Sequence, residues 1–453
     1  PRTIMSAGQP ARQARHWLAA AAAGLLLPVF AADAAAPGVE AAQTQLRDGV
    51  SRIGRPGVPG PVVTFARRAF PVIVVPGDGG HHLPVVAGAF WGRGRVVAFG
   101  HGGYFGGDTV TFGDTARFHR NAVAWLGGTR EAPRVAVLDA NGLADVLEPH
   151  FDAVRRIDRA RLEAALDEAD VLVADISRIS RPAERTAVRA FVRRGGGLLT
   201  ANLGWGWLQL NPGRTLAADH PGNQLLAEAG ILWADGYLGG NARDGYDATT
   251  PLTDMMHADR ALDHLARQLE ADEPLDADVA RAAGMLILKT ARTLPADDRT
   301  LRPELERLAR ARGDEAVPTD AAPLDHTRPL ERIALALQLD RYPELDPRRV
   351  RRHPAATVFP GAVPDDAPRV SRTVRINAAV PRWHSTGLYA APGEVVTLRV
   401  PSDVADRGWH VRIGAHTDTL WHKPSWDRVP DIADRRPLNA TEVRVASPFG
   451  GLL

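Results

Sequence analysis

The sequence predicts a parallel α/β sheet covered on both faces, then an all-helical segment, then the opening of a β-sandwich. Three observations carry this. Between Arg134 and Gly204, short continuous apolar runs alternate with amphipathic ones. Continuous apolar strands belong to a sheet buried on both sides, and strand–helix alternation belongs to parallel strands joined by crossover helices. From 250 to 350 the apolar period becomes that of helices, with prolines between segments. From Val370 onward, β-rich runs are separated by turns. A length of 453 residues corresponds to about three domains at roughly 150 residues each.

The elements follow in order. Arg12 and Arg15 precede "HWLAAAAAGLLLPVF" and then "AADAAAPG". A basic stretch, an apolar stretch and small residues make 1–36 an expected signal peptide, and hence a secreted or periplasmic location. Residues 37–60 read as a helix and a Pro/Gly linker. Residues 61–245 form the expected α/β domain. Its strands are "PVVTFA", "FPVIVV", "GRVVAFG", "RVAVLD", "DVLVADI" and "GLLTANLG". Its helices are "TARFHRNAVAWLGG", "GLADVLEPHF", "ARLEAALDEA" and "PAERTAVRAFVRRGG", the last with proline in its first turn and glycine at its end. Four helical segments make up 250–350: "LTDMMHADRALDHLARQL", "ADVARAAGMLILKTARTL", "RPELERLARAR" and "PLERIALALQLDRY". Residues 365–453 supply the expected sandwich strands "VSRTVRIN", "EVVTLRV", "WHVRIGAH" and "EVRVAS". After the first 36 residues no apolar run is long enough to span a bilayer.

Composition narrows the chemistry. The formal charge is +2, and 1–36 carry Arg2, Arg12 and Arg15 against Asp33, so the remainder is neutral. A neutral chain has no electrostatic footprint for nucleic acid. With no cysteine, thiolate catalysis, disulfides and thiolate metal sites are excluded. "HGGYFGG" at 101–107 has the form of an oxyanion loop, but no G-x-S-x-G elbow accompanies it. "PGDGGHHLP" and "GWGW" lack the fingerprints of phosphate cradles. His257 and His264 lie seven apart in a helical segment, a spacing more typical of a packing face than of ligands. None of the fifteen histidines begins the H-E-x-x-H of zinc peptidases. His416, Asp418 and His422 have the residue types of a facial set for zinc or iron. Arg412 and Arg428 nearby favour instead an Asp–Arg network that pins a loop.

The α/β region is similar to the class I glutamine-amidotransferase-like (flavodoxin-like) fold. In that fold a nucleophilic cysteine follows a strand. Here the corresponding turn offers Asn202, Gly204 and Trp205, so the resemblance implies a domain without that activity. A second resemblance is carried by "WHSTGLYAAPGEVVTLRVP", "VRIGAHTDTLW", "WDRVPDI" and "VASPFGGLL". In this order they resemble the start of the enhancin-like, mucin-directed zinc metallopeptidase domain (peptidase family M sixty). Vertebrate TRP-channel-associated factors share that domain and place an amidotransferase-like domain and helices before it.

The resemblance implies family-motif roles, structural or near a substrate cleft, for Thr386, Gly387, Tyr389, Pro392 and Gly393. It implies the same for Arg412, Gly414, His416, Asp418, Trp426, Arg428, Phe449 and Gly450. It assigns no catalytic residue and no metal ligand to these 453 residues, and zinc is expected only for a full-length protein. The expected function is therefore the N-terminal portion of a secreted zinc metallopeptidase acting on glycoproteins. The alternative is a non-catalytic protein that binds glycans or a protein partner, with Trp383, Trp409, Trp421 and Trp426 as candidate sugar-stacking rings. The expected partner is a glycoprotein or glycan, with no nucleic acid.

Overall fold

The computed structural model describes residues 38–77, 80–270, 276–312, 316–416 and 418–453. The expected signal peptide lies outside them. The centre is a seven-stranded mixed sheet. Its spatial order is Ala69–Pro76, His82–Trp91, Gly94–Phe99, Gly197–Ala201, Val171–Asp175, Val135–Leu138 and Val154–Ile157. The first three strands are antiparallel and the remaining pairings are parallel.

Side chains alternate between two cores. Val97, Phe99, Val171, Val173 and Leu199 share one core with Phe118, Ala122 and Val123 of the helix Thr115–Leu126. Val96, Ala98, Leu172, Ala174 and Leu198 share the other. There they meet Leu162 and Leu166 of Leu162–Glu168, and Val188 and Phe191 of Pro182–Arg193. Both faces are covered, as continuous apolar strands require.

The structure corrects the α/β expectation in three respects. The sheet is mixed, because two antiparallel strands extend its edge. Of these, His82–Trp91 went unread, since its first residues look like a glycine-bounded turn. The edge strand Val154–Ile157 was also unread: its two central residues are the exposed Arg155 and Arg156, so it has no apolar signature. Finally, the five parallel strands lie in the order third, second, fourth, fifth, first. The flavodoxin order is 2-1-3-4-5. The two coincide only if the first of the five parallel strands here, Gly94–Phe99, is counted last.

The segment expected as a helix and linker forms the helix Val39–Arg47 and then packs into the α/β unit. Arg52–Ile53 pairs with Tyr246–Asp247, and Val62–Thr64 with Ile231–Trp233. The helical region holds Ala258–Glu270, Ala277–Ala291, Arg302–Arg312 and Pro329–Arg341. Asp276 caps the second by accepting from the N–H groups of Asp278 and Val279. Asp298 does the same for the third, through Leu301 and Arg302. One core runs unbroken from the sheet through these helices to Trp426. No described helix is long and apolar enough to cross a membrane.

The last region shows no continuous sheet among its described residues. It consists of three two-stranded antiparallel ladders: Tyr389–Ala390 with Gly451–Leu452, Val396–Arg399 with Glu442–Val445, and His410–Ile413 with Asp434–Pro437. They enclose a small core of Ala390, Val411, Ile413, Leu438 and Val445. The expected strand over 370–377 does not form. Val370, Val374 and Ile376 alternate correctly but stay 52%, 37% and 40% exposed. Alternation makes a strand only where a neighbour offers a ladder and a core.

Candidate functional site

Two regions gather polar and aromatic groups. The first is the motif region of residues 386–450. Three of its residues, Thr386, Tyr389 and Gly414, hold residues 451–453 in place. Thr386 donates to Leu453 O through its backbone N–H (3.0 Å) and its Oγ1 (2.9 Å). Tyr389 pairs with Leu452. Gly393 N donates to Ser447 O at 2.8 Å, and Gly414 N to Leu452 O at 2.9 Å. Gly387 takes φ +71°. Gly450 takes φ +69°, and a Cβ there would stand 2.4 Å from Ala390 O and 2.9 Å from Pro392. Phe449 is buried, its ring 5.1 Å from that of His353.

His416 and Asp418 occupy the loop beyond Gly414. The Asp418 carboxylate accepts from Arg428 Nη2. The Arg428 guanidinium lies 4.4 Å from the centre of the Phe359 ring, and the His416 ring 4.7 Å from the same ring. His416 Nδ1 is 3.7 Å from Asp418 Oδ1, and His422 is exposed. Arg412 does not join this group; it lies over Trp383 at 4.6 Å and donates to Ala415 O. Among the described residues no three His, Asp or Glu are arranged to hold a metal ion. In the His416–Asp418 pair the carboxylate is engaged by Arg428, as an Asp–Arg contact that pins the loop.

The four tryptophans separate cleanly. Trp426 is fully buried, with Arg332 over it at 4.2 Å and Trp421 edge-on at 5.4 Å. Trp421 is covered by Arg292 at 3.8 Å. Trp409 packs against the small core. Trp383 is 50% exposed.

The second region is the carboxyl edge of the central sheet. Register sets Phe99, Ala201 and Asp175 level across three adjacent strands, so His101, Asn202 and Asp175 meet at one edge. A line of hydrogen bonds fixes them. His220 Nδ1 accepts from Asn223 N–H (3.1 Å), so the proton of the neutral ring is on Nε2. That Nε2–H donates to Asn202 Oδ1 at 3.0 Å, and Asn202 Nδ2 donates to Asp175 Oδ1 at 3.3 Å. Burial pushes the His220 pKa down to about 4, which keeps the ring neutral and this direction fixed. Asp175 Oδ1 also accepts from Ser177 N–H. Burial likewise lowers the His101 pKa, against the pull of Asp175 and with the push of Arg55.

The bond from Gly103 N–H to His101 Nδ1, at 2.8 Å, leaves the hydrogen on Nε2. The glycine run at 102–103 is thus a close approach and not an oxyanion loop: a Cβ on Gly102 would lie 2.3 Å from Asp175 Oδ2. At the same edge Asp139 adopts φ +53° and lies 3.7 Å from Arg178. Asp175 and His220 escaped the sequence reading. The signal for Asp175 was there, as an acid ending a buried parallel strand, where α/β sheets bind ligands.

The remaining candidates lie away from these two regions or at their margins. His257 is 1% exposed; its Nε2 lies 3.1 Å from Ala66 O, and burial lowers its pKa to about 4. It precedes the helix Ala258–Glu270, which carries His264. "GWGW" opens the short helix Gly204–Leu210. His81 and His82 line a cleft of about 360 Å³ with Met255, Met256 and Asp278.

Residues 365–453 match the family model for the N-terminal domain of M60-like peptidases. Residues 29–248 match the model TCAF_N, described as "TRPM8, N-terminal domain". The chain is 25% identical over 424 residues to a TRPM8 channel-associated factor homolog of Danio rerio, covering 90% of this chain and 43% of that protein. It is 28% identical over 417 residues to TRPM8 channel-associated factor 1 of Homo sapiens, covering 87% and 41%. It thus spans less than half the length of these curated relatives. Among solved structures it is similar to IMPa from Pseudomonas aeruginosa in complex with an O-glycopeptide. That similarity is 18% identity at a TM-score of 0.41, over 91% of this chain and 51% of that one. The region 365–453 is thus related to M60-like peptidases, and the domain order agrees with that of channel-associated factors.

Proposed function

We infer that these 453 residues are the substrate-handling N-terminal part of a glycoprotein-directed zinc metallopeptidase, and carry no catalytic group themselves. The match of 365–453 to the N-terminal domain of M60-like peptidases carries this reading. The absence of H-E-x-x-H from the sequence supports it, since zinc-activated water and its general base need that helix or an equivalent. In this reading the zinc site belongs to a segment outside these residues, and the protein works outside the cytoplasm, where its glycoprotein substrates are.

The test is retention of a mucin-type O-glycopeptide on the immobilised chain, compared with the same peptide after enzymatic removal of its glycans. The expected result is glycan-dependent retention without cleavage, in zinc or in chelator. Cleavage by the chain in added zinc would overturn the division of labour. Equal retention of both peptides would overturn glycan recognition. That outcome would leave the second reading, a protein-binding scaffold, which is favoured by similarity to channel-associated factors across about nine-tenths of the chain.

A further inference from the structure

Five arginines sit on the three ladders of the last region. Three have an acid beside them: Arg399 and Arg444 pair with Glu442, and Arg436 pairs with Asp434. Arg412 and Arg435 do not. Among the described residues no carboxylate lies within ion-pair distance of either. Register nevertheless sets them directly opposite one another across the ladder of His410–Ile413 with Asp434–Pro437. Directly opposed residues leave the same face, and like charges placed so destabilise an antiparallel pair. Val411 and Ile413 face the small core, so the two guanidiniums share the outer face.

One indole gathers both. The Arg412 guanidinium lies 4.6 Å from the centre of the Trp383 ring and that of Arg435 lies 5.7 Å from it. Even so, Trp383 stays 50% exposed. Arg412 gives one donor to Ala415 O at 3.1 Å. Arg435 Nη2 lies 3.2 Å from His410 Nδ1, but that nitrogen is 2.9 Å from Gly408 O. A carbonyl only accepts, so the imidazole hydrogen is on Nδ1 and no lone pair is left there for Arg435. Arg435 also passes close to the α/β unit: a Cβ on Gly213 would stand 3.2 Å from its Nη1. The hairpin thus holds two positive charges and a half-open indole together, with no counter-charge of its own.

This arrangement selects an anion. Each guanidinium presents a planar fork of donors that matches the oxygens of a carboxylate or a sulfate. The open part of the indole suits the C–H face of a ring carried by that anion. An acidic peptide brings the carboxylate without a ring to cover the indole. We propose that Trp383, Arg412 and Arg435 form a binding site for an acidic sugar. Its carboxylate or sulfate group is held by the guanidiniums and its ring lies on Trp383. The bound anion also relieves the repulsion across the ladder. The part this site plays in recognising substrate rests on the functional reading above.

Saturation-transfer NMR on the whole chain tests it with N-acetylneuraminic acid, galactose 6-sulfate and galactose. The expected result is transfer to at least one acidic sugar and none to galactose, weakening as sodium chloride is raised. Which acidic sugar responds tells carboxylate from sulfate. Arg412→Gln and Arg435→Gln should each weaken binding about tenfold, the loss of a hydrogen bond from a charged group. Trp383→Ala should weaken it as well. Arg435→Gln removes a like-charge contact, so its Tm should equal or exceed that of the parent, which shows the variant folded. Transfer to neither acidic sugar, transfer to galactose as strong as to them, or binding unchanged in the folded variants would each overturn the site. Displacement of the sugar by an equal concentration of inorganic sulfate or of tetraglutamate would overturn the sugar assignment and leave a contact for any anion. The glycopeptide experiment fails separately. Glycan-dependent retention unchanged in Arg412→Gln and Arg435→Gln removes this site and leaves the functional reading intact. Binding of an acidic sugar without glycan-dependent retention keeps the site and removes that reading.

Discussion

At Gly393 the backbone takes φ +76°, and a Cβ would stand 2.5 Å from Arg352 N. The conformation disfavours any L side chain, and the neighbour is backbone, which cannot step aside. Gly393→Ala should therefore cost roughly 1–3 kcal/mol in urea unfolding; a cost below the error of the measurement would mean that the turn relaxes freely. Trp426 makes the same argument through volume. Its ring is fully buried beneath Arg332, whose guanidinium also donates to Pro424 O and Lys423 O. Trp426→Ala removes a large core side chain and leaves that arginine over a void, so a loss of about 3–5 kcal/mol is expected. Trp383 is half exposed, and Trp383→Ala should change stability by no more than about 0.5 kcal/mol. The sequence makes these two tryptophans equivalent candidates for sugar stacking. Burial separates them, because it depends on which helix the loop lands on.

Among elements, legibility follows how local the cause is. The helices Arg302–Arg312 and Pro329–Arg341 are readable because apolar period, prolines and the capping Asp298 all lie within a turn or two of each boundary. The strand Val154–Ile157 is unreadable because only its neighbour Val135–Leu138 makes it a strand. Its residues face solvent at a sheet edge, where polar side chains are at home. The run 370–377 errs the other way, with strand-like alternation and no partner. In the candidate sites, the motif order at 386–450 was legible, whereas the line His220–Asn202–Asp175 joins residues up to 45 apart through a register that no window of sequence contains. The strand Gly451–Leu452 illustrates the same dependence. It is two residues long, yet it pairs with Tyr389–Ala390, accepts from Gly414 N–H and precedes the Leu453 carbonyl that holds Thr386. Deleting residues 451–453 should raise amide exchange across 386–414 and open that stretch to protease while leaving exchange in 94–201 unchanged. Protection unchanged at 386–414 would show that the other two ladders suffice.

Across the whole molecule, four histidines have been taken out of water: His119 and His220 in the α/β unit, His257 where the helices begin, and His353 where the helices meet the ladders. Each is at most 5% exposed. Burial lowers the pKa of each to about 4, from about 6.5 in an unfolded chain. The sign follows from linkage. Above pH 6.5 both states are neutral and the stability is fully present. Between 6.5 and 4 the unfolded chain binds protons that the folded chain refuses, and roughly 1.4 kcal/mol is lost per histidine per pH unit. Burial raises the pKa of Asp340, Asp431 and Asp434, so they oppose this loss as pH falls. Asp170 and Glu184, held low chiefly by hydrogen bonds from Arg134 and Arg159, lose their contribution only at still lower pH. The Tm should therefore hold steady above pH 6.5 and fall as pH is lowered from 6.5 toward 4. His257→Gln keeps a donor for Ala66 O and removes one titrating group, so it should flatten the fall of Tm between pH 6.5 and 4 by one histidine's share. A slope identical to that of the parent would show that the ring is already solvated before global unfolding, and that acid opens the α/β–helix junction locally first.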